Sequence, residues 1–453
     1  MPFKSIVKNI LGIKCMAIDK VSVEGEKVFI DVHPTKGCEC RCGCCGCKGR
    51  YYDKGRGARA WRTLDCGGHE VYLRYSVYRV YCPHCKAVHT CMVPWASHGS
   101  RFTERFEQVT AWVALQMDKS AASKFMRIAW HTVGDIMSRV FESVAAKSAS
   151  PLEGLVNIGI DETSYRKGHS YITVVVNHDT NTVVWAHKGH GKEIIEMFFN
   201  ELTEDQRASI LLVSGDGARW ITESVKDFCP NAKRCVDPFH VVEWANNALD
   251  SMRIDAWRRA RATLAEMVRK IKEDGTANDK DAKERIRQAK KDVEQIKQSK
   301  YALGKNPENL TANQQERLAL IQAEDPQLMR GHAMKEKLRL IFKLTDQSLA
   351  EEELDGWLGW AQRCRIPAFV ELGRKIRRHK EHILNTVRNG LSNARIEATN
   401  NKIKLLLRIA YGFRNIDTMI GLVMLFCSSI EIPWPGRKQK EPINKGSVTT
   451  QAA

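Results

Sequence analysis

The 453-residue sequence lacks a long apolar run, a secretory leader and an internal repeat. No stretch approaches the roughly 20 consecutive apolar residues that a transmembrane helix needs. The opening MPFKSIVKNILGIKC has no extended apolar core after its first lysine, as a signal peptide would have. These absences argue against a membrane protein and an exported one, and we expect a soluble, cytoplasmic protein.

Acids are the scarcer charged class. Asp and Glu number 53 against 71 Lys and Arg, which gives a formal net charge of +18 and a pI near 9.3. Such an excess of positive charge indicates a polyanionic partner. Ribosomal, membrane-surface and nuclease proteins share this composition, so charge alone does not choose among them. The length predicts three or more structural units.

Cysteine is rare after residue 91, since 11 of the 15 cysteines precede Met92. With no export signal, metal binding is a better interpretation than a disulfide framework. Cys42-x2-Cys45 and Cys82-Pro-His-Cys85 flank the alternating stretch 70–81. Four thiolates with this spacing predict a zinc ribbon that holds one structural Zn²⁺.

The crowded segment 38–47 leaves the register of the first cysteine pair open. Cys44-x2-Cys47 is the alternative to Cys42-x2-Cys45. Cys38 and Cys40 are surplus to a four-thiolate site, and either surface thiols or a second metal would account for them.

Residues 101–148 have the apolar period of three helices, with breaks at 118–120 and before Trp130. A short helix, a tight turn and a third helix predict a helix-turn-helix whose last helix enters the major groove. Trp130, His131 and Thr132 open that helix and are the candidate DNA-reading residues. A small three-helix unit in which Trp130 and His131 only pack is the alternative.

Residues 155–250 follow the pattern strand, strand, strand, helix, strand, helix, strand, helix. Three meandering strands followed by alternating helices and strands match an RNase H-like fold, in which the first and fourth strands are neighbours. Asp161 ends the apolar run LVNIGID, and Asp216 ends SILLVSGD. Buried strands closed by an acid would bring both carboxylates to one place. Taken singly, each Asp could instead cap a turn or a helix.

Glu397 supplies a third acid, far downstream, in the helical string LSNARIEATNNKIKLLLRIAYGFRN. Grouped carboxylates can hold two Mg²⁺ ions, for which Mn²⁺ can substitute. Two such ions stabilise the attacking and leaving oxygens when a phosphodiester is cleaved. Asp237 competes with Asp216 for the second position. We prefer Asp216, because Asp237 runs into helix 239–250 and would cap it, with His240 as an accessory residue near the site.

Between the sheet and Glu397 lies a long helical stretch rich in charged residues, most of which we interpret as solvated helix faces. Its least balanced cluster is Arg374, Lys375, Arg377 and Arg378. These residues are candidates for phosphate contact, as are Lys402 and Lys404 beyond Glu397. The tail 433–453 has little to bury and is predicted to be disordered.

The strings NIGIDETSYRKGHSYITVVV, AKRCVDPFHVVEWANNAL and LSNARIEATNNKIKLLLRIAYGFRN resemble the insertion-sequence transposases of the ISL-three family. The resemblance extends to about residue 430. It implies a DDE enzyme with Asp161, Asp216 and Glu397 as the catalytic acids, Asp237-x2-His240 as an accessory motif, and a helical insertion. The cysteines at 38–47 exceed the family's usual four.

The predicted architecture is therefore a multidomain α/β protein in which an all-α insertion interrupts an RNase H-like core. Its parts are a zinc ribbon (1–95), a helix-turn-helix (101–148), the first part of the core (151–250), the insertion (251–385), the last part of the core (386–432) and the tail (433–453).

The resemblance implies a bacterial DNA transposase, associated with the nucleoid when bound to DNA, that acts as a homodimer or larger assembly. It would bind terminal inverted repeats and catalyse two-metal-ion cleavage and strand transfer. The alternatives are an RNase H-like nuclease or resolvase that cuts without joining, and a non-catalytic zinc-ribbon regulator.

Overall fold

The computed structural model describes residues 3–97, 99–166, 170–276, 279–390, 394–409, 416–430 and 432. The chain is a mixed α/β protein with two mixed β-sheets and many helices. It divides into two compact units, residues 1–150 with 405–453 and residues 151–404. Among the described residues, no helix is long and apolar enough to cross a lipid bilayer. The predicted disordered tail lies outside the described residues.

The first unit opens with one helix and a five-stranded sheet. The elements are α1 (Phe3–Leu11), β1 (Met16–Glu24), β2 (Lys27–Pro34), β3 (Arg50–Cys66), β4 (His69–Cys82) and β5 (Ala87–Thr90). The strands lie in the order β1-β2-β4-β3, with β5 also paired to β4, and only the β2–β4 pairing is parallel. Alternate residues of β4 are buried, among them Val71, Leu73 and Tyr75, as the period-2 pattern of 70–81 predicted.

Three helices follow: α2 (Glu104–Gln116), α3 (Lys119–Met126) and α4 (Trp130–Ala145). Thr103 caps α2 by accepting from the Phe106 amide at 3.2 Å, and Asp118 caps α3. Arg127 takes a left-handed conformation (φ 53°) and ends α3, which forms the tight turn before α4. The predicted helix–turn–helix arrangement is confirmed.

The second unit begins with another five-stranded sheet. Its elements are β6 (Asn157–Arg166), β7 (Ser170–Asn177), β8 (Thr182–Lys188), α5 (Lys192–Glu201), α6 (Glu204–Ser209), β9 (Leu212–Gly215), α7 (Arg219–Phe228) and β10 (Lys233–Val236). The strand order is β10-β9-β6-β7-β8; β10, β9 and β6 are parallel, and β7 and β8 are antiparallel to their neighbours. The predicted succession is confirmed, with the short α6 as an unpredicted addition.

One prediction about β6 was wrong. Asp161 does not end its strand but lies in the middle of it, because pairing with β7 keeps the backbone extended as far as Arg166. The apolar run that marks the strand in the sequence is only its buried first half. The adjacency of the first and fourth strands, β6 and β9, is as predicted.

Helices account for most of the residues described after β10. They are α8 (Pro238–Glu273), α9 (Lys280–Gln298), α10 (Lys300–Gly304), a 3₁₀ turn (Pro307–Asn309), α11 (Ala312–Glu324), α12 (Pro326–Ile341), α13 (Gln347–Arg363), α14 (Pro367–Arg378), α15 (Lys380–Asn389), α16 (Ala394–Ile409) and α17 (Ile416–Cys427). The long α8 runs through residue 250 without a break and packs with α12, α13, α14 and α15 around buried Trp357, Phe369 and Ile383. In the first unit, α17 packs against α4, with Gly421 facing Phe141.

Candidate active site

Asp161 lies in β6, and Asp216 follows the last residue of the adjacent parallel strand β9. Gly159 of β6 pairs with Ser214 of β9, and each aspartate follows its paired residue by two positions. Neighbouring strands are about 4.8 Å apart, so the register places both acids side by side near the carboxyl end of β9. This is the position at which open α/β sheets carry their ligand sites.

The Asp161 carboxylate is half-buried and held by two donors. It accepts a hydrogen bond from the Glu162 amide at 2.7 Å and another from the side-chain amide of Asn400. Burial raises the pKa of Asp161 above its ordinary value, and the nearby Asp216 charge adds to the rise. The pocket therefore disfavours an uncompensated negative charge, and a bound cation would compensate it.

Asn400 is a site residue that the sequence analysis missed. Its side-chain oxygen accepts from Thr163 Oγ1 at 3.2 Å while its amide reaches Asp161, so it ties α16 to β6. The Glu397 backbone lies in the same helix, three residues earlier, and its side chain is outside the described residues. Helical spacing puts residues i and i+3 on one face. The pair Glu397-x2-Asn400 was the sequence signal that could have identified Asn400.

The backbone around Asp216 is fixed from two sides. Its carboxylate accepts from the Ala218 amide at 2.9 Å. Buried Arg234 donates to the Asp216 carbonyl and, at 3.2 Å, to the Val213 carbonyl. Burial lowers the pKa of Arg234 to about 10, which still leaves it protonated at neutral pH. A buried cation thus contacts the backbone that carries Asp216.

Gly217, the residue after Asp216, lies against the indole of Trp244. A Cβ atom at this position would come within 2.3 Å of the ring, so a side chain would have to displace Trp244. The Lys375 ammonium lies 3.7 Å from the centre of the same ring. Burial lowers the pKa of Lys375, and the Asp216 and Glu243 charges oppose that shift.

Asp237 extends the row of acids to a third parallel strand. Its amide donates to the Gly215 carbonyl at 2.9 Å, which sets it level with Asp216. Its buried carboxylate caps α8 by accepting from the Phe239 amide at 2.8 Å, so the predicted cap is confirmed. His240 stands in the first turn of α8, with Nε2 3.7 Å from the Asp237 carboxylate.

A cleft of about 910 Å³ opens beside these groups. Asp161, Asp237 and His240 line one side together with Asn400 and Lys404. Asp216 does not line this cleft, although the pairing of β9 with β6 sets it level with Asp161. The segments 342–345 and 386–390 also line the cleft.

The basic residues predicted to contact DNA in this unit fall in different places. Arg374, Arg377 and Arg378 share one face of α14 and line a groove of about 940 Å³ together with Arg365. Lys375 points elsewhere, onto Trp244, so the structure does not bring it together with the three arginines. Lys402 and Lys404 are exposed on α16, and Lys404 faces the cleft.

In the first unit, Trp130 and His131 are exposed at the start of α4, and Thr132 is half-buried. The Trp130 ring, 41% exposed, is covered on one face by the Lys119 ammonium, 3.5 Å from its centre. Neither Trp130 nor His131 is part of the helical core, so the packing alternative does not describe them.

The structure brings together Cys42, Cys45, Cys82 and Cys85, whose Sγ atoms all lie within 4.8 Å of one another. Cys42 and Cys82 are buried in the core of the sheet, and the other two are half-buried. Four sulfur donors at this separation fit a tetrahedral Zn²⁺ ion. Cys44 and Cys47, the alternative register, are exposed.

Neither of the two explanations predicted for Cys38 is correct. It is neither a surface thiol nor part of a second metal cluster, because it forms a disulfide with Cys15, whose Cα lies 5.7 Å away. No spacing pattern links Cys38 with Cys15, since Cys15 lies on a different segment 23 residues earlier.

Comparison with known proteins decides the family. Residues 158–423 match a family model described as a transposase, residues 91–140 match the helix-turn-helix domain of transposase family ISL3, and residues 39–85 match the zinc finger of transposases IS204/IS1001/IS1096/IS1165. The chain belongs to the ISL3 (ISL-three) transposase family. The resemblance seen in the sequence is confirmed, and DNA transposition is the function of this chain.

Two relatives show how far the similarity extends. The transposase for insertion sequence element IS1557 of Mycobacterium tuberculosis is 42% identical over 425 residues, which is 93% of each chain. The transposase for insertion sequence element IS1001 of Bordetella parapertussis is 26% identical over 360 residues, which is 79% of this chain and 81% of the relative. The zinc-ribbon match and the cysteine cluster together support a structural zinc ion.

Proposed function

We propose that this transposase binds the terminal inverted repeats of its element and catalyses both DNA cleavage and strand transfer at one site. The observation that carries the proposal is the register of β6 and β9, which sets Asp161 and Asp216 side by side. The strand order β8-β7-β6-β9-β10 supports an RNase H-like core, with the helices between β10 and α16 as its insertion.

Asp161, Asp216 and Glu397 would hold the divalent cations, Mg²⁺ or its substitute Mn²⁺. Carboxylate oxygens are the ligands these ions prefer. When bound, two such ions supply activation of the attacking hydroxyl and stabilisation of the leaving oxygen. Asn400 orients the Asp161 carboxylate, and Arg234 fixes the backbone that carries Asp216. Asp237 and His240 act beside the site as accessory residues.

The chemistry proceeds in two displacements. Water attacks the phosphodiester at the element end, which breaks the P–O3′ bond and frees a 3′-hydroxyl. That hydroxyl then attacks a phosphodiester of the target, so one P–O bond forms as another breaks. No covalent bond to the protein is needed. Two element ends must be joined, which favours a homodimer or larger assembly on DNA in the bacterial nucleoid.

DNA recognition would be divided among separate surfaces. The start of α4, with Trp130, His131 and Thr132, reads bases in the major groove. The arginine face of α14 contacts the phosphate backbone, as do Lys402 and Lys404 on α16. All of these side chains except the half-buried Thr132 are exposed, which supports the assignment.

The test compares Asp161→Ala and Glu397→Ala with the wild-type protein on a duplex that contains the terminal repeat flanking the gene. We expect both variants to lose cleavage while gel-shift affinity stays nearly unchanged, because binding depends on remote basic residues. Glu284→Ala, which removes an exposed acid on α9, is the matched control. Loss of binding together with cleavage contradicts the catalytic assignment. Cleavage without joined products identifies a nuclease or resolvase instead.

A further inference from the structure

Phe239 is an exposed aromatic residue inside the catalytic cleft. Its side chain is 58% exposed, although it stands at the second position of α8, directly after the cap Asp237 and Pro238. Single exposed apolar residues are ordinary on a protein surface. Phe239 differs in its place, because it lines the same concave surface as Asp161 and His240.

The cap fixes the backbone that presents this ring. The Phe239 amide donates to the Asp237 carboxylate at 2.8 Å, and the His240 ring stands edge-on to the phenyl ring with their centres 5.8 Å apart. The phenyl ring is therefore held at the start of a long helix.

The remainder of the cleft combines apolar and charged side chains. Half-buried Phe342 and Leu344 contribute apolar surface, Lys343, Arg388 and Lys404 contribute positive charge, and Asp161, Glu162 and Asp237 contribute carboxylates. Apolar surface with a few charged groups at its rim is the usual lining of a small-ligand pocket, and about 910 Å³ lies in the range of such pockets.

We propose that Phe239 is a stacking platform for one unpaired nucleobase of the DNA next to the scissile phosphate. Bases inside a duplex are covered on both faces by their neighbours, and a base that has left the helix offers a free face on which an aromatic ring can stack. The basic residues of the cleft neutralise the phosphates on either side of that nucleotide. This inference rests on the proposed function and adds the state of the substrate: locally unpaired DNA.

The experiment is a double-mutant cycle that combines removal of the Phe239 ring with removal of a DNA base. Phe239→Ala and Phe239→Trp are compared with wild type on a terminal-repeat duplex and on a set of duplexes, each with one abasic nucleotide near the cleavage position. Single-turnover cleavage and gel-shift affinity are both measured. Tyr301→Ala, which removes an aromatic residue 68% exposed outside the cleft, is the matched control.

On the intact duplex, Phe239→Ala should reduce cleavage or affinity by about 5- to 150-fold, the usual effect of losing one base–aromatic stack. Phe239→Trp should retain activity, and Tyr301→Ala should equal wild type. At one abasic position, wild type and Phe239→Ala should agree within about twofold, because the base that the ring contacts is gone.

Two results overturn the inference. One is an unimpaired Phe239→Ala on the intact duplex. The other is an equal loss on every abasic duplex, which indicates a wedge between stacked pairs or a folding defect. The proposed function fails separately, if Asp161→Ala cleaves as well as wild type.

Discussion

Exchanging Asp216 and Asp237 for asparagine, one at a time, decides which of them is the second catalytic acid. The two stand level on neighbouring strands, and only Asp237 lines the cleft with Asp161. Geometry of the cleft alone would favour Asp237. The Asp237 carboxylate, however, caps the long helix α8 and has His240 Nε2 3.7 Å away, whereas the Asp216 carboxylate accepts from the Ala218 amide in the turn before α7.

The magnitudes follow from these contacts. Asparagine caps a helix about as well as aspartate, so Asp237→Asn should lower the free energy of unfolding by less than about 1 kcal/mol. Because Asp237 lies beside the proposed metal ligands, the exchange Asp237→Asn should lower the cleavage rate by at most about 10- to 100-fold. In the proposed role of Asp216, the exchange Asp216→Asn removes a metal ligand that contributes about 4 kcal/mol in the transition state, which is about 1,000-fold in rate.

Asp216→Asn should nevertheless fold. The Asp216 charge helps to raise the pKa of Asp161, so the exchange relieves repulsion in the metal-free protein. The assay is single-turnover cleavage of a labelled terminal-repeat duplex in Mg²⁺ and in Mn²⁺, with thermal unfolding and gel-shift on the same samples. Full activity in Asp216→Asn, with none in a well-folded Asp237→Asn, refutes the reasoning and reverses the assignment.

Two further predictions concern the zinc ribbon and the basic groove. Cys82→Ser or Cys85→Ser should release about one zinc per chain and unfold the N-terminal sheet, since structural zinc supplies folding free energy, while Cys47→Ser should retain the metal. Metal analysis of the purified variants measures their zinc content. An unchanged zinc content in the double variant Cys82→Ser/Cys85→Ser would exclude this cluster as the zinc site. Replacing Arg374, Arg377 and Arg378 by alanine should lower the salt dependence of DNA binding by up to about 0.9 per arginine in log–log slope. Arg269→Ala, which breaks an exposed pair with Glu266 on α8, is the control, and equal slopes in both variants would rule the groove out as a phosphate site.

The order of elements around Asp161 and Asp216 could be predicted because local patterns specify it. Strands β6 to β10 are short apolar runs, and α5 and α7 have clear helical period, so both classes follow from neighbouring residues. The adjacency of β6 and β9 then came from a known strand order. The same patterns misjudged where β6 ends, because residues 162–166 are held extended by pairing with β7 and carry no apolar signal.

Contacts between distant segments could not be predicted in the same way. Asn400 reaches Asp161 across 239 positions, and Trp244 of α8 lies against Gly217, which precedes α7. Nothing in the sequence distinguishes Arg234 from an exposed basic residue of a strand, yet its side chain is buried and donates to the Asp216 carbonyl. Each of these roles is set by packing partners that no local pattern encodes.

These distant contacts also explain how a long helical segment can separate Asp216 from Glu397 in sequence without loosening the site. The segment returns to the sheet through α15, where the Asn385 amide donates to the Arg234 carbonyl at 3.2 Å and Thr386 Oγ1 donates to the Val236 carbonyl at 2.7 Å. These bonds anchor the end of the segment to β10, one residue before Asp237. The chain is therefore fixed to the sheet at α15, and Asn400 of α16 is attached to it again at Asp161. Two attachments at the sheet, rather than proximity in sequence, hold α16 beside Asp161.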